Sequence, residues 1–435
     1  MSRTAIPEST HPRVGRPSAG SRARAWFVVG LLVCFMIVNY ADKVAIGLAG
    51  VDIIDELGLT KSQFGLVQSS FFWLLALGSV LGGLALGRIK ARWLLGSMVL
   101  VWVISIAPLT GTTSLSLLIA CRVLLGFAEG PATGIATAVT HSWFPPDKRA
   151  VPTSIVIAGA SMGPLIASPT LTWVMLEYSW HTAFAVLCVV GLAWVLTWLF
   201  AGAEGPETGR PAQAASAVPA GIPYRKIFFT PTFLGLLVFF FTTYWCTAVK
   251  VSWLPLYLRD GLGYSAAETG NLTALPYAAG AVLQVGVGVI SAGLTRRGVS
   301  SRAARCLLAC GLAGTGGLCT IGFSLMGRGA VHLALMIMGI SLIGAGYGAA
   351  FSAVSDIVPA RRRGGVMGVI VGVYSLGGIV APLLLGGLVD SAGTPADGYS
   401  RGFMVIGGLV IVGAVIAALT TDPERDARRL REYAG

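Results

Sequence analysis

The chain has 435 residues, 55% of them hydrophobic and only 11% charged, with formal net charge +12 and mean hydropathy +0.77. A soluble globular protein carries roughly 25% charged residues, so charge is too scarce here to cover water-soluble domains. The 58 glycines show no three-residue period, the apolar content is too high for disorder, and 7 cysteines are too few for a disulfide scaffold, which leaves a chain threaded repeatedly through a bilayer.

Residues 1–24, rich in Ser, Pro and Arg, read as a disordered tail. Crossing the ~30 Å hydrocarbon layer takes about 20 mostly apolar residues. Six such stretches follow at 25–50, 64–87, 93–112, 115–140, 151–176 and 181–200. The first reads as a span and not a cleaved signal, because it is too long and is interrupted by Asp42 and Lys43. Residues 201–226 are polar and rich in Pro, Gly and Ala, and read as a linker. Six more stretches lie at 228–258, 270–294, 303–326, 330–355, 365–389 and 402–421, before a tail at 422–435. The alternating segments of a membrane β-barrel are lacking. Gly83–Arg92 and Gly288–Gly298 echo each other, each running from a glycine-rich helix end into a basic turn. The pattern predicts an all-α membrane protein, with twelve transmembrane helices in two pseudo-symmetric six-helix bundles over 25–200 and 227–421.

Lys and Arg accumulate in cytoplasmic loops. With both termini cytoplasmic, 24 of the 31 fall on that side, 4 on the other and 3 inside spans. This predicts a multi-pass protein of the cytoplasmic (inner) membrane. It also accounts for the basic character by contact with the bilayer surface, without nucleic acid.

The three cations inside spans are Lys43, Arg122 and Lys250, and Asp42 and Glu129 accompany the first two. An ionised group at mid-span costs about 2.5–3.5 kcal/mol on insertion scales, so such groups normally face a bundle interior or an aqueous cavity. Arg122 and Glu129 are seven apart and fall within ~20° on one helical face. Carboxylates are too short to snorkel, so the cluster predicts a buried anion-handling site built from Arg122/Glu129 and Asp42/Lys43 pairs. Lys250, near a span end, reads equally well as a snorkelling residue or as a cavity liner. The seven cysteines and four histidines complete no metal set, and no phosphate loop or nucleophile motif is present, so no cofactor, metal or enzymatic activity is expected.

Six segments carry a family resemblance: NYADK (39–43) followed by GLTKSQFGLVQSSFFW (58–73), RVLLGFAEGP (122–131) running into HSWFPPDKRA (141–150), SWLPLYLRDGLGYS (252–265) and SLGGIVAPLLLGGLVD (375–390). Over about residues 25–421 the chain resembles the anion:cation symporter branch of the major facilitator superfamily. The resemblance implies proton-coupled uptake of a small organic anion by alternating access, with sodium as the other coupling ion that fits, by a monomer. It implies that Lys43 and Arg122 bind the substrate carboxylate and that Asp42 and Glu129 carry the coupled proton. Asn39, Tyr40, Tyr244, Trp245, Lys250 and Ser375 complete the expected substrate site. A proton-coupled exporter or antiporter is the alternative.

The departures bear on gating and substrate. The family's inner gate is expected at Gly83, Arg88 and Arg92, but its acid is replaced by Gly87, with Ala292 at the matching place in the second half. Two readings stand equally: a weaker gate with a larger inward-open population, or other basic and helix-terminus contacts taking the place of the acids. Leu75 and Ser79 stand where sugar-acid carriers have Tyr and Gln, removing partners for sugar hydroxyls. Tyr40, Trp73, Tyr244 and Trp245 remain to face a ring. This tips the expectation toward an aromatic carboxylate or dicarboxylate over a sugar acid. Lys43 lacks the bidentate fork of the usual Arg.

Overall fold

The structure, a computed structural model, describes residues 19–86, 88–111, 114–145, 148–205, 222–359 and 362–434. Among them are twelve helices long and apolar enough to cross a membrane. Spans 1 to 6 are Arg22–Leu48, Lys61–Ala85, Ala91–Thr110, Leu115–Trp143, Val151–Glu177 and Trp180–Ala201. Spans 7 to 12 are Pro231–Ser252, Ala266–Arg296, Arg302–Ser324, Ala330–Ile357, Arg363–Asp390 and Pro395–Thr420. An even number of crossings puts both chain ends and the linker on one face, here the terminal face; the opposite one is the far face.

Boundaries move by a few residues from those expected, and the tails need correcting. The helix of span 1 already begins at Ala19, so residues 19–24 are helical and not a disordered tail; residues 1–18 lie outside the described residues. Within the expected linker, 206–221 lie outside the described residues, and Tyr224–Phe228 is a short helix.

Three spans are broken. Span 2 splits into Lys61–Ser70 and Leu75–Ala85, span 4 into Leu115–Glu129 and Ala132–Trp143, and span 10 into Ala330–Ala345 and Tyr347–Ile357. At the span 4 break Pro131 supplies no N–H to the ladder. There the two backbones nearly touch: a Cβ on Gly126 would collide with the Phe71 carbonyl. Breaks at this depth are tolerated where the backbone is buried in protein.

The two bundles meet mainly through span 2 on span 11, span 5 on span 8 and span 1 on span 7. The meeting is tight on the far side. A Cβ on Gly47 would lie 2.5 Å from the Val251 carbonyl oxygen, and one on Gly65 would lie 2.6 Å from that of Pro382. Polar ties reinforce this seam. Asp390, at the end of span 11, accepts the backbone N–H groups of Lys61 and Ser62 at 2.9 and 2.7 Å. Those amides open the span 2 helix, where unpaired donors and the helix dipole favour a carboxylate. Lys61 also pairs with Asp260 at 2.9 Å, and Arg259 holds Asp52 with two bonds of 3.0 and 2.9 Å. Toward the terminal side, Gly368 and Gly372 of span 11 have open space where a Cβ would stand. Among the described residues no ion pair or side-chain hydrogen bond joins the bundles there.

Residues 423–434, expected only as a tail, form a helix docked on the terminal end of the second bundle. Asp426, 1% exposed, accepts the Thr232 N–H at the start of span 7 and is bonded by Arg425. Burial pushes its carboxyl up, but bonds from Arg425 and Thr232 outweigh this and hold it below the usual range. Such a group stabilises the fold above its unfolded value of about 4 and loses that effect as pH falls through the lower folded value. Asp426→Asn is therefore expected to melt at a lower temperature than the parent at pH 7, the gap closing below about pH 4. A pH-independent gap in a thermal melt would show that the charge is not the cause.

Candidate functional site

The buried charges converge where the breaks of spans 2 and 4 face span 1. Asn39, Asp42, Arg122 and Glu129 are 1%, 1%, 4% and 5% exposed. Their pairing differs from the expected Arg122/Glu129 and Asp42/Lys43 arrangement. Lys43 Nζ lies 3.0 Å from Glu129 Oε2, donates to Asn39 Oδ1 at 2.9 Å, and sits 4.0 Å from the Tyr40 ring centroid. Asp42 instead accepts a 2.6 Å bond from the Trp102 indole of span 3. The reason is helical geometry. Seven residues rise ~10 Å, which parts Arg122 from Glu129, and adjacent residues diverge by about 100°, which parts Asp42 from Lys43.

Among the described residues Arg122 makes no contact ion pair, although the charges of Asp42 and Glu129 are close enough to act on it. No carboxylate oxygen lies within 4.0 Å of it among the described residues. Its guanidinium stacks 4.7 Å from the Phe71 ring centroid and donates from Nη2 to Gln68 Oε1 at 3.3 Å. Arg122 Nε, Asn39 Nδ2 and Asp42 Oδ1 are buried without hydrogen-bond partners, and beyond its ion pair with Lys43 so is the Glu129 carboxylate. Buried polar groups are normally satisfied, so this cluster holds capacity for a polar guest.

Across the seam Lys250 is half-buried, 4.3 Å from the Tyr277 ring centroid, also with no carboxylate within 4.0 Å among the described residues. Tyr244 stacks on Tyr374 at 4.2 Å and meets Phe72 of the other bundle edge-on at 5.9 Å. The Tyr277 hydroxyl is buried and unpartnered. Trp245 packs its indole on Gly377 inside the second bundle with its N–H buried and unpartnered, and the Ser375 hydroxyl bonds its own helix at Val371, 2.7 Å away. Leu75 is buried and offers no polar group in place of the missing Tyr, whereas Ser79, beside Gly130, keeps a buried and unpartnered hydroxyl where the Gln would stand. Trp73 is 43% exposed.

The expected gate residues do not bridge the halves. Arg92 bonds the Leu199 carbonyl, and its backbone N–H reaches Glu204 at 3.3 Å, all within the first bundle. Arg88 and Ala292 are exposed, and a Cβ on Gly83 would stand in open space; Gly87 lies outside the described residues. Sequence reasoning missed Gln68, Trp102, Tyr277 and Phe71. For Gln68 a signal existed, an amide buried in an apolar run; the other three look like ordinary packing residues. A separate cavity of about 220 Å³ lies at the far face beside Asp52, Arg259 and Trp180, away from the charge cluster. Among the described residues no cluster of three metal-ligating side chains occurs.

A family model for the Major Facilitator Superfamily matches residues 31–354 and 333–435. The chain belongs to this superfamily. Among curated facilitators, it is similar to a hexuronate transporter of Bacillus subtilis, 29% identical over 87% of this chain and 90% of that protein. A probable sulfoacetate transporter of Cupriavidus necator is 30% identical over 91% and 93%. A D-galactonate transporter of Escherichia coli is 27% identical over 90% and 96%. These relatives agree with the anion-symporter resemblance carried by the motifs. Among solved structures, a bacterial homologue of the lysosomal transporter Spinster in an inward-facing, occupied conformation superposes with TM-score 0.77 at 18% identity, covering 95% of this chain and 99% of that one. A D-xylose–proton symporter gives 0.74 at 15% identity over 92% and 99%. The facilitator fold is shared, and this facilitator is a membrane transporter.

Proposed function

We propose that this protein takes up a small two-headed organic anion, a dicarboxylate or an analogous dianion, together with a proton. One observation carries the reading: Arg122 is buried to 4% with no carboxylate within 4.0 Å among the described residues, while Glu129 is already paired with Lys43. A buried cation whose counter-charges, Asp42 and Glu129, stand beyond contact is incompletely compensated, and an incoming anion in direct contact relieves that cost.

The sequence of events follows from the pairing. A substrate carboxylate entering between Arg122 and Lys43 competes with Glu129 for the lysine. Glu129, freed in a low-dielectric site, takes up a proton instead of remaining as an uncompensated charge. Proton and anion thereby favour each other's binding reciprocally. Lys250, beside Tyr277 in the second bundle, receives the second negative group. Galactarate/glucarate and sulfoacetate appear in relatives' names, and both are two-headed anions. The terminal face is cytoplasmic in this reading, in the inner membrane, and the untied terminal side accompanies the loss of gate acids at Gly87 and Ala292.

The test is uptake by purified protein in liposomes under an imposed pH or sodium gradient, with galactarate, sulfoacetate, phthalate and galactonate. Accumulation of the two-headed anions driven by an inward proton gradient is expected. Uptake of none, preference for galactonate, or drive by sodium alone would overturn the corresponding part. Lys250→Met is expected to raise the KM for the two-headed anions by roughly tenfold to a hundredfold, the loss of a charged hydrogen bond of about 1.5–3 kcal/mol. Galactonate should be little affected.

A further inference from the structure

Gln68 lies in the first half of span 2 and is 1% exposed. Its amide is shared between the two bundles. Oε1 accepts from Arg122 Nη2 at 3.3 Å, and Nε2 donates to the Ser252 carbonyl of span 7 at 3.4 Å. Ser252 closes the span 7 helix, so its carbonyl has no partner further along that helix. The same carbonyl oxygen would lie 3.1 Å from a Cβ on Gly47, placing it in the far-face seam where spans 1 and 7 touch. A single buried side chain thus runs from the unpaired guanidinium to the backbone of the opposite half.

We propose that Gln68 is a positioning residue that makes closure of the far face depend on the state of Arg122. An amide in a dry interior is held by having both ends satisfied, and losing one partner exposes the full cost of the unmet group. With Arg122 empty, its Nη2 fixes Oε1 and thereby aims Nε2 at Ser252. When an anion draws the guanidinium away, Oε1 loses its donor, the amide is free to turn, and the bond across the seam weakens. Occupancy of the anchor is thereby transmitted to the interface that must part for the far side to open. The inference rests on reading Arg122 as the anion anchor, so its experiment uses no substrate; failure of the transport assays and failure of this link are then separate results.

Deuterium uptake of the full chain in lipid nanodiscs is followed in far-face segments 44–52, 61–67 and 252–262 and in terminal-face segments 132–143 and 347–357. Loss of one buried hydrogen bond, about 1 kcal/mol, corresponds to roughly fivefold in an opening equilibrium. Gln68→Met and Arg122→Met are each expected to speed far-face exchange by about that factor, with slower exchange at the terminal face as the halves swing. The double variant should be no faster than Gln68→Met alone, because both remove the same link. Gln68→Asn, too short to reach both partners, is read in the same way if the methionine variant fails to fold. Unchanged far-face exchange in Arg122→Met, independent effects that multiply in the double variant, or faster exchange confined to residues around 68 would overturn the proposal.

Discussion

Arg122→Ala is expected to weaken substrate binding severely, not merely slow transport. The side chain is buried, its guanidinium is unmatched by any carboxylate within 4.0 Å among the described residues, and Phe71 and Gln68 hold it in place. Truncating one partner of a desolvated charge pair typically costs about 2–5 kcal/mol, roughly thirtyfold to several thousandfold in affinity. Arg122→Lys keeps the charge but loses the planar fork, and should fall between the two. The measurement is the concentration dependence of substrate counterflow in proteoliposomes, and a wild-type affinity in the alanine variant would remove Arg122 from the binding role.

Glu129→Gln is expected to separate exchange from accumulation. The neutral amide resembles a protonated carboxyl, so the variant should still bind and exchange anion across the membrane. It has no proton to give up, so concentrative uptake driven by a pH gradient should fall by at least about a hundredfold, the scale of ~3 kcal/mol of lost coupling. Wild-type uptake should quicken as the external pH falls toward 5, and the variant should stay flat. Driven uptake with wild-type pH dependence would assign the coupling elsewhere. Asp42 is the next candidate, although its fixed bond to Trp102 at 2.6 Å gives it no lysine to exchange with substrate.

Much of this architecture is legible in the sequence, because crossing hydrocarbon demands long apolar runs that composition alone displays. The interruptions at 71–74, 130–131 and 346 are not. They depend on how closely two particular backbones approach, as where Gly126 meets the Phe71 carbonyl, and no periodicity records that. The residues of the charge cluster could be named from their cost in lipid, yet their pairing could not. Contacts along one helix are limited by its pitch, whereas the Lys43–Glu129 contact joins two helices whose packing the sequence does not announce. Gln68 escaped notice for a related reason: a lone amide in an apolar run has meaning only once its two partners, 54 and 184 residues away, are known. The helix 423–434 was hidden by its charge, since its few apolar residues become a buried face only against span 7 and its neighbours.

The clasp of Asp390, Asp260 and Asp52 on one side, with no counterpart among the described residues on the other, has a kinetic consequence. In the proposed orientation, an unladen carrier rests with its mouth toward the interior, and turning back without cargo becomes the slow leg of each cycle. Solute already inside should then hasten the inward flow of labelled solute from outside, a trans-stimulation that vanishes once those clasps are neutralised.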